Sequence, residues 1–158
     1  MTRIRSVFTT SRSANAVDTA LLLIRVALGV VFALHGWQKL TVFGYAGVTQ
    51  MMGGLGIPAP ALSAALVIGA ELVGGLALLA GVATRVAATI LAFTMVVALT
   101  SVHLVNGFFL PTGFEYTFTL LLVNLGLVLA GAGAYSVDAR LFRSVSVAAD
   151  QAAFRYAA

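Results

Sequence analysis

PALSAALVIGAELVGGLALLAGVATRVAATILAFTMVVALTSVHL, residues 60–104, decides the fold. It holds two apolar runs, 60–81 and 85–104, each near the length of about 20 residues that a membrane-spanning helix needs. Gly81 and Arg85 bracket a connection of a few residues, which makes the two runs antiparallel neighbours. Pro58 and Pro60 suit the opening of the first run, because proline is tolerated in the first helical turn. Two further runs, 19–37 and 115–131, flank this pair. The pattern predicts an all-α integral membrane protein: a bundle of four transmembrane helices.

Composition agrees. The chain is 61% hydrophobic and 9% charged, where soluble domains carry about 25% charge. The apolar runs leave room for tails and short loops but for no separate soluble unit. Residues 1–18 read as an N-terminal tail, 19–138 as the membrane domain and 139–158 as a C-terminal tail. Between the first two runs, Val48, Met51, Met52 and Leu55 recur at helical spacing, which predicts a short interfacial helix within residues 42–57. The first run contains Arg25 and lacks a small-residue exit before His35 and Trp37, so it reads as an uncleaved anchor.

Lysine and arginine are distributed unevenly. The two tails and the 81–85 turn hold seven of them, whereas the remaining loops hold Lys39. The positive-inside rule therefore puts both termini in the cytoplasm, in a multi-pass protein of the cytoplasmic membrane. The net charge of +4 follows from these topogenic arginines. No basic stripe with stacking aromatics accompanies it, so nucleic acid is not an expected partner. Cysteine is absent, which excludes an internal dithiol couple, thiolate-held metals and c-type haem attachment. Redox work would require quinone, a bound cofactor or another protein. Neither a nucleophile elbow nor a phosphate-binding loop is present, and hydrolase or ATPase chemistry has no support.

Against this apolar background, Arg25, His35, Lys39, Glu71, His103 and Glu115 fall within or at the ends of the runs. An ionisable group at mid-bilayer costs about 2.5–3.5 kcal/mol even on insertion scales, so each should face protein, water or a ligand. Counting helical rise places Arg25 about 10 Å and Glu71 about 15 Å from the cytoplasmic ends of their helices, close enough in depth to predict a buried ion pair. The remaining groups belong to the outer boundary. His35 and Lys39 share a helical face at i, i+4, while His103, Asn106, Glu115 and Tyr116 bracket the last outer loop. Their plain role is interfacial anchoring, with Glu115 complementing a helix start. Two imidazoles beside a phenol and an acid also suit hydrogen bonding and proton transfer at a quinone headgroup. On that reading His35, His103 and Tyr116 act on the headgroup, and Lys39, Asn106 and Glu115 contact a substrate or anion. Axial ligation of a b-type haem by the two histidines rests on little more than their depth. A metal site would have to borrow Glu115, and none is expected.

The residues also carry a family likeness. FALHGWQKL at 32–40, LGIPAPAL at 55–62, ELVGGLALLAGVATR at 71–85, VHLVNGFF at 102–109, FEYTFTLLL at 114–122 and YSVD at 135–138 occur in an order and spacing that resemble the DoxX family of small bacterial membrane proteins. The resemblance covers residues 21–138 and implies a four-helix transmembrane bundle linked to redox physiology. Relatives include the membrane subunit of thiosulfate:quinone oxidoreductases and proteins associated with oxidative stress. The family's recurrent polar positions correspond here to Arg25, His35, Gly36, Lys39, Glu71, Gly75, Arg85, His103, Asn106, Glu115 and Tyr116. Three functions are compatible with this: a redox component that meets quinone or a partner oxidoreductase at the outer face; a non-catalytic scaffold for soluble redox or detoxifying enzymes; and a small transporter, acting as an oligomer or through a narrow path, gated by Arg25 and Glu71.

Overall fold

The computed structural model describes residues 13–141. These form α1 (Ala14–Gln38), α2 (Gly44–Gly54), α3 (Pro60–Ala80), α4 (Thr84–Ala98) and α5 (Glu115–Ala130), with no strand among the described residues. A π-helical turn, Lys39–Phe43, joins α1 to α2; a second, Leu99–His103, and a 3-10 turn, Leu104–Asn106, prolong α4. The first helix starts at Ala14, ahead of the expected position 19, because no breaker intervenes and the Thr19 hydroxyl bonds back to the Asn15 carbonyl. Residues 1–12 and 142–158, with most of both expected tails and five of their arginines, lie outside the described residues.

The end of the molecule that carries Gln38, Pro60 and Glu115 is called upper below, and the end with Ala14, Ala80 and Thr84 lower. Helix α1 lies chiefly against α3 and α5 against α4, while α3 joins the two pairs; α1 and α5 touch only slightly. Leu28, Phe32, Leu78, Leu91 and Leu127 fill the shared core. The expected short helix is present as α2, but its Val48 and Met52 are buried on Ala64 and Ile68 of α3, leaving Met51 exposed. The Tyr45 hydroxyl donates to the Ala61 carbonyl and fastens α2 to the start of α3.

Glycine sets the α1–α3 register. A methyl group on Gly36 would strike the Leu72 backbone, one on Gly75 the Ala33 backbone, and one on Gly29 the Gly75 carbonyl and Leu79. Such backbone approach replaces the hydrophobic drive that is missing between helices in lipid. Contacts of 36 with 72, 33 with 75 and 29 with 79 define an antiparallel ladder in which Glu71 lies level with Trp37. Extrapolated downward, Arg25 falls level with Ala83, about 18 Å from Glu71 along the axis.

At the lower end, α4 begins after Ala83, whose φ of 46° is left-handed, and it has no side-chain cap of its own at that position. Asp138 supplies one from beyond α5: its two carboxylate oxygens accept from the Ala83 and Thr84 amides at 2.7 and 2.9 Å. An anionic group at a helix N-terminus satisfies orphan donors and complements the dipole. The Asp18 carboxylate similarly accepts from the Ala134 amide, tying α1 to the segment after α5.

Large apolar side chains such as Leu23, Leu34, Leu66, Val73 and Phe93 point outward. Three helical stretches, Ala14–Gly54, Pro60–Ala80 and Thr84–Asn106, are long and apolar enough to cross a membrane, while Glu115–Ala130 is apolar but shorter.

Candidate functional site

The structure separates the charged residues differently from the depth count. Glu71 does not pair with Arg25. Its Oε2 lies 2.5 Å from Lys39 Nζ, in a bridge whose side chains are 5% and 18% exposed. The correction follows from the α1–α3 register, which puts Lys39 two residues along from the level of Glu71 and Arg25 far below it. Lysine's four-carbon stem spans the remainder while keeping its charge off the lipid.

Arg25 is fully buried near the lower end. Its Nη1 donates to the Leu78 carbonyl at 3.0 Å and its Nη2 to the Tyr135 carbonyl at 2.5 Å, joining the end of α3 to the segment that follows α5. The carboxylate that acts on it electrostatically is Asp138. Gly81, with φ of 69°, leaves the space that the guanidinium occupies. A planar fork of donors suits two carbonyls on different segments, where an ammonium would not. Arg25 is therefore a clasp that ties α1 to the end of α3 and to the segment after α5.

The expected upper cluster divides into two groups. His35 and Tyr116 come together from α1 and α5, with ring centroids 6.3 Å apart and planes tilted by 43°. Both are exposed, and neither the imidazole nor the phenol makes a hydrogen bond within the described residues. Lys39 lies one turn above His35 on the same helix and brings Glu71 with it.

The other group is engaged with its own backbone. His103 Nδ1 bonds the Thr112 carbonyl at 2.9 Å; since a carbonyl can only accept, that nitrogen carries the proton. Asn106 Nδ2 donates to the Val102 carbonyl at 2.9 Å, and Glu115 Oε1 accepts from the Leu110 amide at 3.0 Å. These three side chains hold the connection between α4 and α5 in shape.

Among the described residues, no group of three or more His, Asp or Glu is placed to hold a metal ion. The upper site thus consists of two titratable rings with free hydrogen-bonding atoms, next to a nearly neutralised ion pair. Sequence reasoning gave Glu71 the wrong partner and did not find Asp138. Gly29, Gly36 and Gly75 signal close helix packing in the sequence, but not the register that brings Glu71 to Lys39. The capping by Asp138 had no local signal.

A model of the DoxX family matches residues 20–104, more than half of the chain. Searches of curated proteins and of solved structures give no match.

Proposed function

The chain belongs to the DoxX family, and from that premise we propose a redox-associated protein of the bacterial cytoplasmic membrane that binds a quinone headgroup at its outer face, between His35 and Tyr116. It crosses the bilayer four times, α5 being the fourth span, with both termini in the cytoplasm. The positive-inside asymmetry of the sequence supports this orientation and makes the upper end the outer one.

The observation that carries the reading is the pair of exposed rings with unused hydrogen-bonding capacity at one boundary of the bundle. A quinone has two carbonyl oxygens that accept hydrogen bonds and an isoprenoid tail that stays in lipid. Slight contact between α1 and α5 suits sideways entry of such a molecule from the bilayer. His35 and the Tyr116 hydroxyl are the donors to the headgroup. Full reduction consumes two electrons and two protons. A partner redox protein on the outer face supplies the two electrons, and one proton goes to each quinone oxygen, through His35 at one and the Tyr116 hydroxyl at the other, each reloaded from water at the boundary. Lys39 is matched by Glu71, so the pair forms a polar wall above the headgroup and draws in no free anion. His103, Asn106 and Glu115 stand outside this site because each is tied by one polar atom to the backbone of the α4–α5 connection.

Titration of the purified protein in lipid nanodiscs with a short-chain quinone tests the reading. Saturable binding is expected, and His35→Ala and Tyr116→Phe should each weaken it about tenfold, the worth of one hydrogen bond near 1.4 kcal/mol. Binding unchanged in both variants would refute the site.

A further inference from the structure

The connection between α4 and α5 has the surface of a membrane-embedded element. No charged residue occurs between His103 and Glu115, and Leu104, Val105, Phe108, Phe109 and Leu110 are exposed, Val105 by 87% and Phe109 by 77%. In water an apolar patch of this kind would be a liability. Here it continues the outward apolar face of α4, on which Phe93 and Val96 are exposed.

Helix lengths say where it lies. The stretch Thr84–Asn106 has 23 residues and α5 has 16, or about 34 and 24 Å of rise. Their lower ends are level, since Arg85 Nη2 reaches the Leu129 carbonyl. Helix α5 therefore stops about 10 Å below its neighbour and falls short of a hydrocarbon core of about 30 Å. Residues 104–114 occupy the missing height.

Irregular backbone is excluded from lipid unless its polar groups are satisfied internally. This segment meets that condition in part; the Gly107, Phe108, Phe109 and Thr112 amides make no hydrogen bond among the described residues and need water or headgroup oxygens at the boundary. The Gly113 amide donates to the Phe109 carbonyl, Phe114 to Gly107 and Glu115 to Phe108. Pro111 has no amide hydrogen to satisfy. The two ionisable groups add two more bonds: the Glu115 carboxylate takes the Leu110 amide and the His103 imidazole serves the Thr112 carbonyl. Phe108 stacks edge-on against Phe109 and Phe114, so the aromatic rings move as one block.

We propose that residues 104–114 are a wedge inserted where the acyl chains of the outer leaflet meet the headgroups, completing the height of the fourth span, with His103 and Glu115 each withdrawing one backbone polar group from the lipid. The inference rests on the four-span reading given above. Trp37 is the single tryptophan, which allows a direct test. In full-length protein carrying Trp37→Phe, a reporter is placed by Phe109→Trp or, as a reference on the exposed face of α5, by Leu122→Trp, and the protein is reconstituted in vesicles of acyl-brominated phosphatidylcholine. Both reporters should be quenched by the bromines, and Phe109→Trp should be shielded from aqueous iodide. Quenching of Leu122→Trp by bromine with Phe109→Trp open to iodide and untouched by bromine would overturn the wedge while leaving the fourth span. Loss of bromine quenching at Leu122→Trp would overturn both.

Discussion

Lys39→Met is expected to destabilise the protein by about 3–5 kcal/mol, whereas Lys39→Met combined with Glu71→Leu returns it to within about 1 kcal/mol of the parent. The single variant leaves the Glu71 side chain, 5% exposed, as an uncompensated carboxylate between packed helices. The double variant removes both charges and fills similar volume with apolar groups. Unfolding in mixed micelles by increasing fractions of sodium dodecyl sulfate measures each term. The same cycle run with Arg25 discriminates between partners. Arg25 and Glu71 share no contact, so their single costs should add to within about 0.5 kcal/mol. Strong coupling of Glu71 to Arg25, or a double Lys39/Glu71 variant as damaged as the sum of its singles, would contradict the pairing.

Arg25→Ala is expected to cost about 3–6 kcal/mol, from two charge-assisted bonds worth about 1.5–3 each. Those bonds satisfy the Leu78 and Tyr135 carbonyls on segments that the chain brings together from far apart. Loss of the guanidinium also deprives Asp138 of its countercharge where that residue caps α4. Total stabilities of about 5–15 kcal/mol leave little margin after such a loss. Arg25→Lys keeps the charge but presents one ammonium in place of a fork, and should fall between the two. Thermal unfolding of the three proteins in one detergent provides the comparison. Equal midpoints for all three would show that the clasp contributes nothing.

The helices were legible because length and apolarity are properties of contiguous sequence. The runs at 60–81 and 85–104 become α3 and α4 with the first edge unchanged and the next two shifted by one residue, while α4 gives way to irregular turns after Ala98. Lateral relations were not legible to the same extent. Depth counting brought Arg25 and Glu71 together because it assumed that the lower ends of their helices are level, whereas the glycine ladder makes α1 run on well below the end of α3. Glycines announce close approach but do not say to what. Depth was right for His35, Lys39, His103, Asn106, Glu115 and Tyr116, all of which lie in the upper part of the molecule. What depth could not reveal was that three of them are each tied by one polar atom to nearby backbone while His35 and Tyr116 keep theirs free. The cap given by Asp138 is 54 residues from Thr84 and follows from the packing of the segment after α5.

A headgroup held between His35 and Tyr116 is most directly visible by photolabelling. An azidoquinone irradiated with the protein in native-like membranes, followed by mass spectrometric mapping, should attach to the upper turns of α1 around His35 and to the first turn of α5 around Tyr116. An excess of unmodified quinone should abolish the label at both. Label distributed over the lipid-facing helices, or undiminished by competing quinone, would contradict a quinone site at these residues.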